Sequence, residues 1–285
     1  MKLHETHTYW PLLTKPIRDP AFIEVLKTIK EISFSNSRFT FEERFRHIKK
    51  FEKLVWTLLS KYFGVDKLSN FYIINGITDY IDTFLQNIKT IGLFPNEYLY
   101  YKEISLQRNI DIIDISNVDN IPKCDKIALS CPYSFNGDTW FQQEVIDTAS
   151  QYNIPILIDC AYLGLTSPWY INLAKSKNIS IAYSMSKHYS LSFDRIGIVF
   201  TSNLDQKLQV LNQFGYVNIS GIEKANLLLE NFDENFIYNK YSPMYKDIIE
   251  KLGLNPTGCI LFGHKKTEKY CITEHYLNTS EYGLS

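Results

Sequence analysis

The 285-residue sequence has no surplus of either charge: 30 lysines and arginines face 31 aspartates and glutamates, for a formal net charge of −1. Neither half carries a long run of one sign. Dedicated nucleic-acid and membrane-surface proteins usually present a basic face, so both classes are disfavoured. No apolar run approaches the roughly 20 residues that span a bilayer. The opening MKLHETHTYW is polar and does not read as a secretory signal. The five cysteines, Cys124, Cys131, Cys160, Cys259 and Cys271, are odd in number and form no C-x-x-C pair. A disulfide framework and a structural zinc site are therefore not expected. The six histidines are scattered and form no metal-ligand set. These absences predict a cytoplasmic protein in a reduced setting, with no metal and no nucleic-acid or membrane partner.

What is present is a globular chain. Apolar residues make up 45% and charged residues 21%, enough for a sizeable core filled largely by aromatic side chains. No repeat or low-complexity tract interrupts it. Residues 1–39 read as an arm with prolines at 11, 16 and 20 and a short helix over 21–32. Thr40 and Glu43 form a capping-box pattern. Phe41, Phe45, Ile48, Phe51, Val55, Leu58 and Leu59 then recur at helical spacing, with Gly64 as the expected stop.

Beyond this helix the sequence alternates. Strands are expected at 71–74, 97–101, 110–115, 126–130, 155–160, 179–184 and 196–201. Helices are expected at 78–88, at 141–152 behind Thr139 as cap, and at 169–176. Such alternation implies a mostly parallel sheet covered by helices on both faces. From about residue 204 the pattern changes to helices and one apolar strand at 259–262. The reading is an α/β protein with an arm (1–39), a large domain (40–203) and a small C-terminal α+β domain (204–285).

Ligands of open parallel sheets bind beyond the carboxyl ends of the strands. After 71–74 comes Asn75-Gly76-Ile77-Thr78, a glycine turn into a helix whose free amides suit an anion. After 155–160 stands Asp159-Cys160-Ala161-Tyr162, with a carboxylate at the end of an apolar strand that requires a partner. After 179–184 comes Ser184-Met185-Ser186-Lys187. Eight residues further, Arg195 returns to the same edge, placed to pair with a phosphate. Desolvated there, Lys187 would act as a nucleophile or form a Schiff base. Singly, each feature is as common as a turn, a cap or a solvated surface lysine; their order and spacing are not.

With these motifs in sequence, the chain resembles the class I/II aminotransferases, aspartate-aminotransferase-like enzymes of pyridoxal-phosphate fold type I. The resemblance spans about 40–201, with a looser echo at the C-terminus. Residues 71–78 are similar to the family's strand and phosphate loop. Cys131-Pro-Tyr-Ser-Phe-Asn-Gly137 is similar to its Asn-Pro-x-Asn-Pro-Thr-Gly segment, Asp159-Cys-Ala-Tyr162 to its Asp-x-Ala-Tyr motif, and Ser184-Met-Ser-Lys187 with Arg195-Ile-Gly197 to its lysine and arginine elements.

The resemblance implies pyridoxal 5′-phosphate as cofactor and a homodimer acting on a small-molecule amino donor and acceptor. It further implies a Schiff base and proton shuttle at Lys187, Asp159 against the pyridine nitrogen, and Tyr162 donating to the phenolic oxygen. Ser184, Arg195, Gly76, Ile77 and Thr78 would hold the phosphate, Tyr98 would stack on the ring, and Ser134 would stand where the family has asparagine. The reaction expected is aminotransfer. A lyase, decarboxylase or racemase, and a non-catalytic protein retaining the cofactor site, are the alternatives.

One departure concerns the substrate. No arginine follows Arg195, whereas the family commonly binds the α-carboxylate with a C-terminal arginine. The corresponding position falls near Ile272. Either the amino donor lacks an α-carboxylate, or an arginine of the arm, Arg18 or Arg38, supplies the contact; both are ranked above the nearby Lys269, because a planar fork suits a carboxylate better than a point charge.

Overall fold

The computed structural model describes residues 14–29, 40–266 and 268–276; Arg38 and most of the expected arm lie outside them. Helix α1 (Pro20–Leu26) starts where Asp19 accepts from the amide of Ala21 at 2.7 Å, with Pro20 in the first turn. Helix α2 (Phe41–Leu59) opens on the expected capping box. The Glu43 amide donates to Thr40 Oγ1 at 3.2 Å, and the Thr40 amide donates back to Glu43 Oε2 at 2.8 Å. Its buried face carries Ile48, Phe51, Val55, Leu58 and Leu59.

The first short strand is β1 (Phe63–Gly64). Then come β2 (Asn70–Ile74), α3 (Ile77–Phe84), β3 (Thr90–Leu93), α4 (Leu99–Gln107), β4 (Asp111–Asp114), β5 (Lys126–Ser130), α5 (Gln142–Gln151) and β6 (Ile156–Asp159). The chain continues through β7 (Ile171–Asn172), β8 (Ile179–Ser184), the single turn α6 (Met185–His188) and β9 (Gly197–Thr201). Helices α7 (Gln206–Gln213), α8 (Ile219–Asn231) and α9 (Phe236–Lys251) lead to the hairpin of β10 (Phe262–Lys265) and β11 (Glu268–Cys271).

Seven strands form one sheet in the order β2-β9-β8-β6-β5-β3-β4. Every neighbouring pair from β8 to β4 is parallel, and β9 alone runs against its neighbours β2 and β8. The mostly parallel α/β sheet flanked by helices is thus the architecture of the chain. Alternate strand residues feed the two faces. Ile73, Leu129, Ile158, Ile181 and Phe200 pack in one cluster with α2, α5 and α8. Tyr72, Ile91, Ala128, Leu157 and Val199 pack in the other with α3, α4 and α7.

Several sequence expectations are corrected. Residues 97–101 are not a strand. The strand is β3, and Tyr98 caps the start of α4. The tyrosine-rich run has high β-propensity, but position overrides it: Tyr101 points into the core and the Tyr100 hydroxyl donates to Asp82. Residue 92 of β3 must be glycine, because a Cβ would stand 2.8 Å from Ile115 and 2.9 Å from Cys124. Residues 169–176 are not helical either, since β7 pairs in parallel with β1.

Gly64 does not stop α2. The helix ends at Leu59, and Gly64 lies in β1, where a Cβ would collide with the Tyr170 ring. Helix α5 starts behind Phe141 without a side-chain cap, so Thr139 does not serve. The strand expected at 259–262 begins only at Phe262, and it pairs with a second strand, β11, that the sequence pattern does not indicate.

Candidate active site

The carboxyl ends of β2, β3, β5, β6 and β8 share one edge, and reversed β9 begins there. The cofactor candidates of the sequence reading lie at the strand ends and in the turns along this edge. Gly76, with φ of 82°, joins β2 to α3. That conformation suits glycine, and space demands it as well: a Cβ would stand 2.6 Å from Arg195 Nη2. Ile77 is buried in the core, so only its backbone faces the edge. The opening amides of α3, at Ile77 and Thr78, are first-turn donors.

Arg195 approaches from the opposite side, immediately before β9. It is exposed and holds φ at 48°, a conformation that arginine rarely adopts. Ser184 ends β8, and its hydroxyl accepts from the Ser186 amide at 3.2 Å while donating to Ser186 Oγ at 2.9 Å. The cluster of Arg195, the Ser184 and Ser186 hydroxyls and the α3 amides is a set of donors around a glycine cradle.

Lys187 lies on α6. Burial lowers its pKa; Cys271 opposes this and Arg195 adds to it. Its Nζ donates to the carbonyl of Thr14. Behind it, His188 is clamped between the Tyr183 hydroxyl (2.8 Å) and the Glu234 carbonyl (3.0 Å). Burial lowers the His188 pKa to about 4. This neutral imidazole fixes the single turn that carries the lysine.

Asp159 closes β6 and is almost fully buried. Its Oδ1 accepts from the Ala161 amide at 3.0 Å and its Oδ2 from the Tyr101 hydroxyl at 3.2 Å. Burial, with the charge of Glu97 second, pushes its pKa up to about 7. Tyr98 is raised by burial, eased by a hydrogen bond toward Thr78, and senses both Asp159 and Arg195.

Glu97 is the main residue that sequence reasoning missed. Its Oε1 accepts from the Ser130 amide at 3.0 Å. Its Oε2 accepts from Ser130 Oγ (2.7 Å), Ser134 Oγ (2.9 Å) and the Tyr98 amide (3.1 Å). One carboxylate thus ties the end of β5, the loop bearing Ser134 and the start of α4. Burial raises its pKa while the serine donors pull the other way. The signal was a carboxylate two residues after Pro95 beyond a short strand, obscured by the misplaced strand.

Tyr162 is buried and donates to Thr14 Oγ1 at 3.0 Å. Its hydroxyl also accepts from Lys269 Nζ at 3.3 Å, and Lys269 donates to the Ser134 carbonyl at 2.6 Å. Ile272, where the carboxylate-binding position was expected, is buried in the core. Arg18 is exposed, its guanidinium 5.6 Å from the ring of exposed Phe193.

The donor set fits a phosphorylated pyridine aldehyde. Phosphate donors line the Gly76 cradle, a buried carboxylate suited to a pyridinium ends β6, and a desolvated amine lies on the turn after β8. Among the described residues no group of three or more His, Cys, Asp or Glu side chains is arranged to hold a metal ion, and no helix is long and apolar enough to cross a membrane.

The family model for aminotransferase class I and II matches residues 82–234, just over half the chain. The match includes Asp159, Lys187 and Arg195 but neither the Gly76 turn nor Lys269. No curated protein matches the chain by sequence. Solved structures share its fold. An aminotransferase from Staphylococcus aureus superimposes with a TM-score of 0.61 at 16% identity, covering 90% of this chain and 75% of that one. The pyridoxal-phosphate-bound C-S lyase from Staphylococcus hominis gives 0.64 at 11%, covering 99% and 83%. Histidinol-phosphate aminotransferase from Sinorhizobium meliloti, in complex with pyridoxal 5′-phosphate, gives 0.62 at 13%, covering 87% and 73%.

Proposed function

The chain belongs to the class I and II aminotransferase family, whose cofactor is pyridoxal 5′-phosphate, and from that premise we propose that it transfers an amino group between two small molecules at Lys187. The observation that carries this reading is the desolvated Lys187 on the same sheet edge as buried Asp159 and the donors around Gly76. When bound, the cofactor supplies an aldehyde that condenses with amines and a ring that withdraws electrons from the carbon bearing the amino group.

Lys187 Nζ, depressed in pKa by burial, would be the nucleophile toward that aldehyde and, as a free amine, the base that moves the substrate's proton. Asp159, as carboxylate, would hold a proton on the ring nitrogen and keep the ring electron-poor. Tyr162, with Ser134, would direct its hydroxyl to the phenolic oxygen. Arg195, Ser184 and the amides of Gly76, Ile77 and Thr78 would hold the phosphate, and Tyr98 would stack on the ring.

The likeness to the C-S lyase over 99% of this chain supports a second reading. The same residues would serve lyase, decarboxylase or racemase chemistry, which the fold does not distinguish. The deciding experiment gives the purified, cofactor-loaded protein a panel of amino acids. An aminotransferase converts one amino acid per cofactor into its oxo acid, leaves the amino group on the cofactor and frees no ammonia. Release of ammonia, thiol or carbon dioxide would replace aminotransfer with the second reading. We include in the proposal a homodimer, from the family, and a reducing cytoplasmic compartment, which suits the free cysteines. Sedimentation at the mass of two chains tests the dimer.

A further inference from the structure

Glu97 has no step in the account above, yet it shares one face of the sheet with Asp159. Ser130 and Asp159 are register partners at the carboxyl ends of β5 and β6. Partners in a parallel pair present their side chains to the same face, and adjacent strands lie about 4.8 Å apart. That face is the one packed on α4: Ala128 and Leu157, two positions earlier, share a cluster with Tyr101. Glu97, just before α4, accepts from the Ser130 amide and hydroxyl. Tyr101, four residues further along, donates to Asp159. Two carboxylates thus stand side by side, one strand apart, and the hydrogen bonds of both come from neutral donors.

The donors are unevenly divided. Glu97 is half-buried as a residue, with its carboxylate end desolvated. Four N–H and O–H groups point at that end, from Ser130 twice, Ser134 and Tyr98. None is an acceptor for a proton on Glu97, so the group is held as an anion. Asp159 has two donors, from Ala161 and Tyr101. The proton that two close like charges draw in therefore belongs to Asp159.

We propose that Glu97 is a positioning residue for the ring-nitrogen site: its fixed negative charge beside Asp159 keeps one proton shared between that carboxylate and the cofactor's ring nitrogen to a higher pH than Asp159 alone would hold it. This rests on the function proposed above. Glu97 needs no contact with the cofactor, because charges one strand apart in a desolvated region interact far more strongly than in water. The ring stays electron-poor into the alkaline range as a result.

The titratable groups facing the pair are Tyr98 and Tyr101 from the α4 side, Cys131 and Tyr133 beyond β5, Cys160 and Tyr162 beyond β6, and Lys269 on β11. Burial raises the tyrosines and both thiols, which keeps them neutral around pH 7. Lys269 carries the opposing charge, but its Nζ is bonded to the Ser134 carbonyl and the Tyr162 hydroxyl.

The test is nitrogen NMR of pyridoxine 5′-phosphate, isotopically labelled at the ring nitrogen and bound to the protein. This analogue has no aldehyde and forms no Schiff base, so the signal is independent of turnover. Glu97→Gln should lower the pH at which the bound ring loses its proton by about one pH unit or more. Glu97→Asp keeps the charge and should return the titration most of the way to that of the parent. Ser130→Ala removes a donor from the same network but no charge, and should leave the titration in place. A Glu97→Gln titration equal to the parent's overturns the inference, as does a Ser130→Ala displacement as large as that of Glu97→Gln. Should Glu97→Gln fail to fold, carboxyl carbon NMR of the unsubstituted protein decides. Residue 97 should then show the shift of an ionised carboxylate throughout the range in which Asp159 titrates, and a protonated residue 97 overturns the proposal. An unsubstituted protein that binds no pyridoxine 5′-phosphate would overturn the proposed function and this inference with it, whereas binding with an unmoved titration removes the inference alone.

Discussion

Tyr101 donates its hydroxyl to Asp159 Oδ2 across 3.2 Å, and neither residue is open to solvent. The bond crosses from α4 to the end of β6 and fixes the carboxylate that the proposed reaction would use. With the Ala161 amide on the other oxygen, Asp159 is held by two donors but still lacks a full positive charge. That imbalance raises its pKa.

Asp159→Asn has opposite effects on the free and loaded protein. The folded carboxyl titrates at about 7 against an ordinary 3.8. The unfolded chain therefore loses its proton first, and stability falls as pH rises from about 4 to about 7. Above that window the penalty is full, on the order of 4 kcal/mol before relaxation of the site. The cofactor-free Asn variant should melt higher than the parent at pH 8 and equally at pH 4. Its loaded form should keep the cofactor and lose turnover by roughly two orders of magnitude or more, for want of the ring proton. Differential scanning calorimetry at the two pH values, with steady-state rates, checks both halves.

Lys187→Ala should abolish the covalent link to the cofactor. The parent protein is expected to be yellow, and borohydride should fix the cofactor to residue 187. In the variant, mass spectrometry after borohydride should find no cofactor on the chain. A reduced adduct elsewhere in the variant would remove Lys187 from its role.

Gly76→Ala should weaken cofactor binding by at least about tenfold. Alanine at φ of 82° costs roughly 1–2 kcal/mol, and its Cβ would press on Arg195 Nη2. Arg195 must withdraw, and the phosphate loses its fork. The loss should appear in the dissociation constant of the cofactor, read by equilibrium dialysis, and the backbone strain should also lower the melting temperature of the cofactor-free protein by several degrees.

Much of this edge was legible because β8 and β6 are short apolar runs ending in chemically distinctive residues. Buried strands announce themselves by composition, and the turns after them by Ser184, Lys187, Asp159 and Gly76. What escaped was set by tertiary position. Glu97 and Tyr101 sit in a run whose intrinsic preference is β, but helix α4 starts at Leu99 and Tyr101 joins the buried cluster of Ala128 and Leu157. Side-chain shape ranks arginine above lysine for a carboxylate, but the location of each cation is not legible in the sequence. Arg18 lies over Phe193 at the surface, while Lys269 lies between two buried rings.

Glu97→Gln should lower the pKa of Asp159, since it removes the nearest like charge, and should destabilise the protein by about 1–3 kcal/mol as donors lose their acceptor. Four donors converge on this carboxylate, and an amide can accept through only one of its two terminal atoms. Carboxyl carbon NMR of the cofactor-free protein should show residue 159 titrating at lower pH than in the parent. An unchanged titration would mean that the two carboxylates do not sense each other.

The solitary reversal of β9 carries a kinetic corollary. Ser184 pairs with Gly197, so Lys187 and Arg195 sit in the loop of one local hairpin, which the chain can close in microseconds. The opposite wall of the cradle, Gly76, reaches Arg195 only when Ile74 pairs with Gly197 across more than a hundred residues of intervening chain, a slow encounter. A nascent chain thus assembles its lysine and arginine early and its phosphate turn late. In refolding, recovery of cofactor capture should lag behind the β8–β9 pairing and coincide with docking of β2.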